Sequence, residues 1–305
     1  MRLVHLQDWI LQPTAIALGN FDGVHLGHRC VIETLPADPH LHSTVVSFDP
    51  HPQAFFSGQP RQLLTPLPDK LPLLEQLGVH QLVLLPFDRD LVCLSPQAFV
   101  EEILVDKLGA KAISVGFNFC FGYQRTGTAT DLGAIASQFN IPVTIVPPQD
   151  SLGEPISSST IRQALEQGDL SRAHRLLGRP YDLTGTVVHG QKLGRTLGFP
   201  TANLDLPADK FLPRLGVYQV AVSSDLWPDL QPGVMNLGWR PTVSGTQLIP
   251  EVHLLDWSGD LYGHTVTVSL AQFLRPEQTF ASLEALKTQI QADCAAARAA
   301  LASIV

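Results

Sequence analysis

The chain has 305 residues, 45% of them hydrophobic and 16% charged, and a formal net charge of −8. That length accommodates two domains with separate cores, and that balance is globular rather than disordered. The acidic surplus excludes a protein that grips nucleic-acid backbones across its surface, while leaving room for a local basic pocket that holds a small phosphate.

Residues 1–12 carry Asp8 and no long apolar core, so no secretory leader is expected. The strongly apolar stretch around Leu82–Leu85 is far below the ~20 residues needed to cross a bilayer. Cys30, Cys93, Cys120 and Cys294 form no C-x-x-C pair, which fits a reducing interior. A cytoplasmic protein with no membrane or nucleic-acid partner is expected, monomeric or weakly self-associating.

The first half alternates strand-like and helix-like segments. Ala15–Leu18, Thr44–Phe48, Gln81–Phe87, Ala112–Phe117 and Val143–Val146 are short apolar runs rich in Val, Ile and Leu. Such runs suit strands buried on both faces of a parallel sheet. Ser95-Pro96 offers an N-cap and a first-turn proline for a helix over Gln97–Leu108. Alternating βαβ units predict a doubly wound sheet, with ligands beyond the carboxyl ends of its strands.

Gly19-Asn20-Phe21-Asp22-Gly23-Val24-His25-Leu26-Gly27-His28 falls at such a place, after the first apolar run and before a helical segment. Free amides at a helix start favour anions, and two imidazoles beside them add N–H donors. Gly23 and Gly27 let backbone approach a bulky ligand. A nucleoside triphosphate held by its phosphates is the implied ligand. A metal is the rival for His-x-Gly-His, but no third ligand stands at a zinc-like spacing.

Farther on, Ile156-Ser157-Ser158-Ser159-Thr160-Ile161-Arg162 combines hydroxyls and one guanidinium at a helix start. Alone, it reads more readily as a plain N-cap with a surface arginine than as a phosphate site. That helix is expected to run to Gln167 and end at Gly168, and a second, capped by Asp169, to run to Leu177 and end at Gly178.

From Tyr181 the periodicity is mostly two, over Leu183–Val188, Val217–Val222, Val234–Leu237, Pro250–Trp257 and Thr265–Leu270. An antiparallel barrel or sandwich is predicted, with a boundary near residue 180 separating domains 1–180 and 181–305. Phe280, Leu283, Leu286, Ile290, Cys294, Ala297 and Leu301 mark an amphipathic helix that packs on it. Gly190-Gln191-Lys192-Leu193-Gly194-Arg195-Thr196-Leu197-Gly198-Phe199-Pro200-Thr201-Ala202-Asn203 is neither a Walker A loop nor a Rossmann fingerprint, yet its glycines can cover phosphates. In Pro250–Trp257 the alternation puts Glu251, His253 and Leu255 on one strand face.

These strings, in this order, resemble the bifunctional riboflavin kinase/FMN adenylyltransferase (FAD synthetase) family. The histidine turn resembles the nucleotidyltransferase signature. Ser47-Phe48-Asp49-Pro50-His51-Pro52 and Gly116-Phe117-Asn118-Phe119-Cys120-Phe121-Gly122 resemble two further elements of that half. The resemblance implies a Rossmann-like nucleotidyltransferase domain followed by an antiparallel riboflavin kinase β-barrel with a C-terminal helix. It implies phosphorylation of riboflavin to FMN by ATP, then adenylylation of FMN by ATP to FAD and pyrophosphate, both with Mg2+.

By the same resemblance His25, His28 and Arg162 act on the adenylyl phosphates, and Gly19, Asn20, Phe21, Gly27, Ser157, Ser158 and Ser159 line them. Gly190, Gly194 and Asn203 hold the second ATP, Thr201 ligates the metal and Glu251 is the general base. Asn118 and Arg275 contact flavin, and His253 is structural. Cys120 and Thr160 stand where basic residues are common in the family. Two alternatives stay open at the level of the sequence: a single live activity, or a flavin-binding protein without turnover.

Overall fold

The computed structural model describes residues 1–190, 194, 198–242 and 245–301, and the chain divides into two compact units at Ser158/Ser159. The first unit is built on six parallel strands: β1 (Arg2–His5), β2 (Thr14–Leu18), β3 (His42–Asp49), β4 (Gln81–Pro86), β5 (Ala110–Gly116) and β6 (Val143–Val146). Their order across the sheet is β1-β4-β3-β2-β5-β6. Five match the expected apolar runs. The central strands are buried on alternate sides: Ile16, Leu18, Val83 and Leu85 pack with Phe99, Val100, Leu104 and Leu132, whereas Ala17, Leu82 and Leu84 face Val31, Ile32 and Leu74.

Helices cover both faces, among them α1 (Leu26–Glu33), α2 (Pro52–Ser57), α3 (Leu67–Gln76) and α4 (Ala129–Ser137). Ser95 caps the expected segment, its Oγ accepting from Ala98 N at 3.1 Å. Beyond that cap the structure departs from the expected helix: Phe99–Lys107 winds as a π-helix. Its buried residues, Phe99, Val100, Ile103 and Leu104, satisfy α and π spacing about equally.

The second unit starts with α5 (Ser158–Gln167) and α6 (Leu170–Leu177), as capped in the sequence, with Asp169 Oδ1 accepting from Arg172 N and Gly178 left-handed at φ 73°. The compact units divide in the first turn of α5, because these helices pack with the strands that follow. α6 lies on the first and last of those strands, and Arg214 N donates to the Leu165 carbonyl at 2.9 Å. The strands are β7 (Tyr181–Val188), β8 (Ala202–Asp205), β9 (Gly216–Ser224), β10 (Trp227–Thr242), β11 (Gly245–Leu254) and β12 (Thr265–Arg275). They close into an antiparallel barrel in the order β7-β8-β11-β10-β9-β12.

The C-terminal helix α7 (Leu283–Leu301) starts at Ser282, whose Oγ accepts from Ala285 N, and seats Ile290, Cys294 and Ala297 against Val217 and Val234. No described helix is long and apolar enough to cross a membrane.

His174 lies in the last turn of α6, its Nε2 buried and without a hydrogen-bond partner among the described residues. Burial holds its pKa below the usual imidazole value of 6.5. The unfolded chain therefore takes up this proton first as pH falls, so stability drops below that value until the folded ring titrates as well. Urea unfolding at about pH 7 and about pH 5 should show this loss in the parent chain and a smaller one in His174→Leu.

Candidate active sites

In the first unit the order β3-β2-β5 makes β2 a switch point: the strand that follows it lies on one side and β5 on the other. The crevice between the carboxyl ends of β2 and β5 is where such sheets bind ligands. Gly19–His28 leaves β2 there, and Phe117–Gly122 leaves β5. Ser47–Pro52 sits at the end of β3, and His51 Nδ1 caps α2 by accepting from Gln53 N at 3.1 Å.

The turn is strained and wedged. Phe21 and Val24 take left-handed backbone at φ 49° and 39°, which non-glycine residues hold only when their surroundings impose it. Both side chains are buried in the core. Gly23 N donates to Thr65 Oγ1 at 2.8 Å, and Thr65 N donates to Asp22 Oδ1 at 3.2 Å. Ser158 Oγ donates to the Asp22 carbonyl at 2.7 Å, tying the serine string to the histidine turn.

His25 caps α1: its Nδ1 accepts from His28 N at 3.2 Å. A nitrogen that accepts carries no proton, so the ring hydrogen sits on Nε2 as a donor. The ring is 6% exposed and stacks on His28 with centroids 3.6 Å apart. A side chain at Gly27 would bring its Cβ to 3.2 Å from the His25 ring, so glycine is what lets the imidazole lie over the helix start.

Gly19, Asn20 and Phe21 open the turn, and the buried Asn20 Oδ1 has no hydrogen-bond partner among the described residues. That orphan atom fits a group waiting for a ligand. Ser157 and Ser158 belong to the same unit. Ser159 and Arg162 lie on α5 in the second unit, where the Arg162 guanidinium stands 5.5 Å from the Phe211 ring centroid. Asn118 is exposed on the loop after β5, and Cys120 Sγ donates to its carbonyl at 3.7 Å.

The barrel brings a second group together on adjacent strands. Asn203 on β8 is paired with Glu251 on β11, and Glu251 with Asn236 on β10. Directly paired residues project to one face with Cβ atoms about 5 Å apart, so an amide, a carboxylate and an amide form a row. Val252 and Met235, the neighbours in register, point into the core. Asn203 is 9% exposed and packs so closely on Gly190 that a Cβ there would lie 2.1 Å from its Nδ2.

Thr201 lies two residues before Asn203. Its segment is held by His253, whose Nδ1 bonds the Pro200 carbonyl at 2.8 Å and whose ring meets Phe199 edge-on at 5.6 Å. Phe199 N also donates to the Gly194 carbonyl at 2.8 Å. Of the expected glycine-rich loop, 191–193 and 195–197 lie outside the described residues.

One expectation needs correction here. Leu255 does not share the face of Glu251 and His253: β11 ends at Leu254, and Leu255 turns into the core, with its N–H on the Pro232 carbonyl. Arg275, expected at the flavin, pairs with the C-terminal helix in this structure. Its Nη2 meets Asp293 Oδ2 on α7 at 2.7 Å, its Nε bonds the same carboxylate at 3.0 and 3.1 Å, and its Nη1 donates to the Pro276 carbonyl. With side chains 14% and 7% exposed, the pair anchors α7 to the barrel. Arg275→Ala should cost about 3 kcal/mol in urea unfolding, because it strands a buried carboxylate. Asn236, by contrast, was not foreseen; only the pairing register reveals it.

A metal at this barrel site would meet a hydroxyl, amide oxygens and a carboxylate, all hard donors. Among the described residues no group of three or more His, Cys, Asp or Glu is placed to hold an ion, so phosphates and water would complete its shell.

The FAD synthetase family model matches residues 7–160, and the riboflavin kinase family model matches residues 177–301. Proteins named bifunctional riboflavin kinase/FMN adenylyltransferase are similar over most of their length. The one from Pseudomonas fluorescens is 43% identical, over 92% of this chain and 91% of its own. That from Escherichia coli K12 is 41% identical, over 93% and 91%. That from Listeria monocytogenes is 39% identical, over 94% and 92%. A Streptococcus pneumoniae crystal structure titled macrolide-efflux protein superimposes with a TM-score of 0.86 at 31% identity, over 98% of this chain and 99% of that one. The chain belongs to the bifunctional riboflavin kinase/FMN adenylyltransferase family.

Proposed function

We propose that the chain phosphorylates riboflavin on its barrel and adenylylates the resulting FMN at its histidine turn. The observation that carries the reading is similarity along nearly the whole chain to proteins named for both activities. We assign residues 1–180 to the adenylyltransferase, including the Ile156–Arg162 string, and 181–305 to the kinase.

At the barrel, Glu251 accepts the proton of the riboflavin 5′-hydroxyl as its oxygen attacks the terminal phosphorus of ATP, and ADP leaves. Thr201 and Asn203 would hold a divalent ion, assigned as Mg2+, which would neutralise charge on the ATP phosphates. At the histidine turn, a phosphate oxygen of FMN attacks the α-phosphorus of a second ATP, and pyrophosphate departs. No protein nucleophile is required. The His25 Nε2–H, the His28 ring and the α1 amides donate to oxygens that gain charge, and Ser157, Ser158, Ser159 and Arg162 serve the departing pyrophosphate. Asn118 is assigned to the flavin. Glu251 and Asn203 support the first assignment by their direct pairing, and the His25–His28 stack supports the second.

Incubating the purified chain with riboflavin, ATP and Mg2+, followed by chromatography, should yield FMN first and FAD later. Accumulation of FMN alone would leave a single live activity. Recovery of unchanged riboflavin would sink the assignment.

A further inference from the structure

The left-handed backbone at Phe21 needs something to hold the peptide plane before it. That plane carries the Asn20 carbonyl, which receives two donors: Ser47 Oγ at 3.1 Å and Lys70 Nζ at 3.1 Å. Lys70 is an unusual residue for that task. It lies on α3, fifty positions away in sequence, and is only 8% exposed, although lysine is seldom buried unless it is paired. A helix lysine between Asp69 and Leu71 reads as a solvated surface charge; here its amino group reaches under the phosphate turn.

Both lone pairs of one carbonyl are thereby engaged, fixing the Asn20–Phe21 peptide and, through it, the path to Asp22 and the His25 cap. The same contact sets a cationic side chain behind a turn that the reading above fills with a triphosphate. We propose that Lys70 is a positioning residue for adenylyl transfer: by clamping the Asn20 carbonyl it holds the strained turn in the shape that grips ATP. Lys70 acts through the turn and touches neither substrate. This inference rests on the adenylyltransferase assignment of that turn.

The test uses the whole chain, with riboflavin phosphorylation in the same preparation as an internal measure of folded enzyme. Lys70→Met should lower kcat/KM for ATP in FAD formation by about 10- to 100-fold, the larger part in KM, because the turn holds the triphosphate before and during transfer. FMN formation should be unchanged. Lys70→Arg, which keeps a charged donor, should recover part of the loss.

Ser47→Ala should weaken the same step, and its effect should fail to multiply with that of Lys70→Met, since both act on one oxygen. If Lys70→Met does not accumulate as folded chain, Lys70→Gln, a shorter neutral donor, is expected to shift KM in the same direction. Normal FAD kinetics in Lys70→Met or Lys70→Gln would overturn the proposal, as would equal loss of both activities. A parent chain that makes FMN but no FAD would instead sink the adenylyltransferase reading, and the Lys70 role with it.

Discussion

FAD formation from supplied FMN and ATP should fall by about 100- to 1,000-fold in His28→Ala, the range seen when a donor aimed at developing phosphate or oxyanion charge is removed. Riboflavin phosphorylation by the same protein should be unaffected. The His28 ring stacks on His25 and lies against Phe21, so the kinase rate of the same preparation serves as the measure of folded enzyme. His25 differs, because it does two things at once: its Nδ1 caps α1 through His28 N, and its Nε2 presents the proton.

His25→Ala should therefore lose activity and also about 1 kcal/mol of stability, the usual effect of deleting an N-cap. His25→Asn separates the roles, since asparagine caps as well as any residue but places no donor where Nε2 was. It should restore the stability and leave adenylyl transfer low. Full FAD synthesis by His25→Asn would mean that the imidazole is only a cap, and the phosphate assignment of that ring would fall.

What the sequence disclosed followed from local physics. Ala15–Leu18 and Gln81–Leu85 were legible because strands covered on both faces keep an unbroken apolar run. β1 was not: of Arg2–His5 only Val4 is buried, so an edge strand left no such run. β8 was missed for a related reason. Ala-Asn-Leu-Asp carries no strand signal, and its extended form comes from pairing with β7 before it and with β11, far away in the chain.

The sites divide in the same way. His25, His28, Thr201, Asn203 and Glu251 stand in contiguous strings that can be recognised without a fold. Lys70 and Asn236 matter only through what the fold lays beside them. Arg275 shows the converse, a residue inside a recognisable string whose guanidinium is taken up by an aspartate eighteen positions later. The π-helix at Phe99–Lys107 lay beyond any periodicity argument, since nine residues are too few to separate it from an α-helix.

At the barrel, two substitutions should fail in different ways, and the contrast tests the Asn203–Glu251–Asn236 row. Glu251→Gln keeps the size and the strand pairing but removes the base. It should lower kcat for riboflavin phosphorylation by about 100- to 10,000-fold with little change in KM for MgATP. Gly190→Ala leaves the carboxylate intact. Its new Cβ would stand 2.1 Å from Asn203 Nδ2, closer than atoms can approach, so the amide must leave its place. If Asn203 helps hold the ATP-bound ion, KM for MgATP should rise by about tenfold or more while kcat changes less. FAD formation from supplied FMN should persist in both variants, because neither residue belongs to the unit that carries the histidine turn. A Glu251→Gln enzyme with the parent kcat would show that another group takes the hydroxyl proton. Unaltered MgATP kinetics in Gly190→Ala would show that the close packing of Asn203 on the loop does nothing for nucleotide binding.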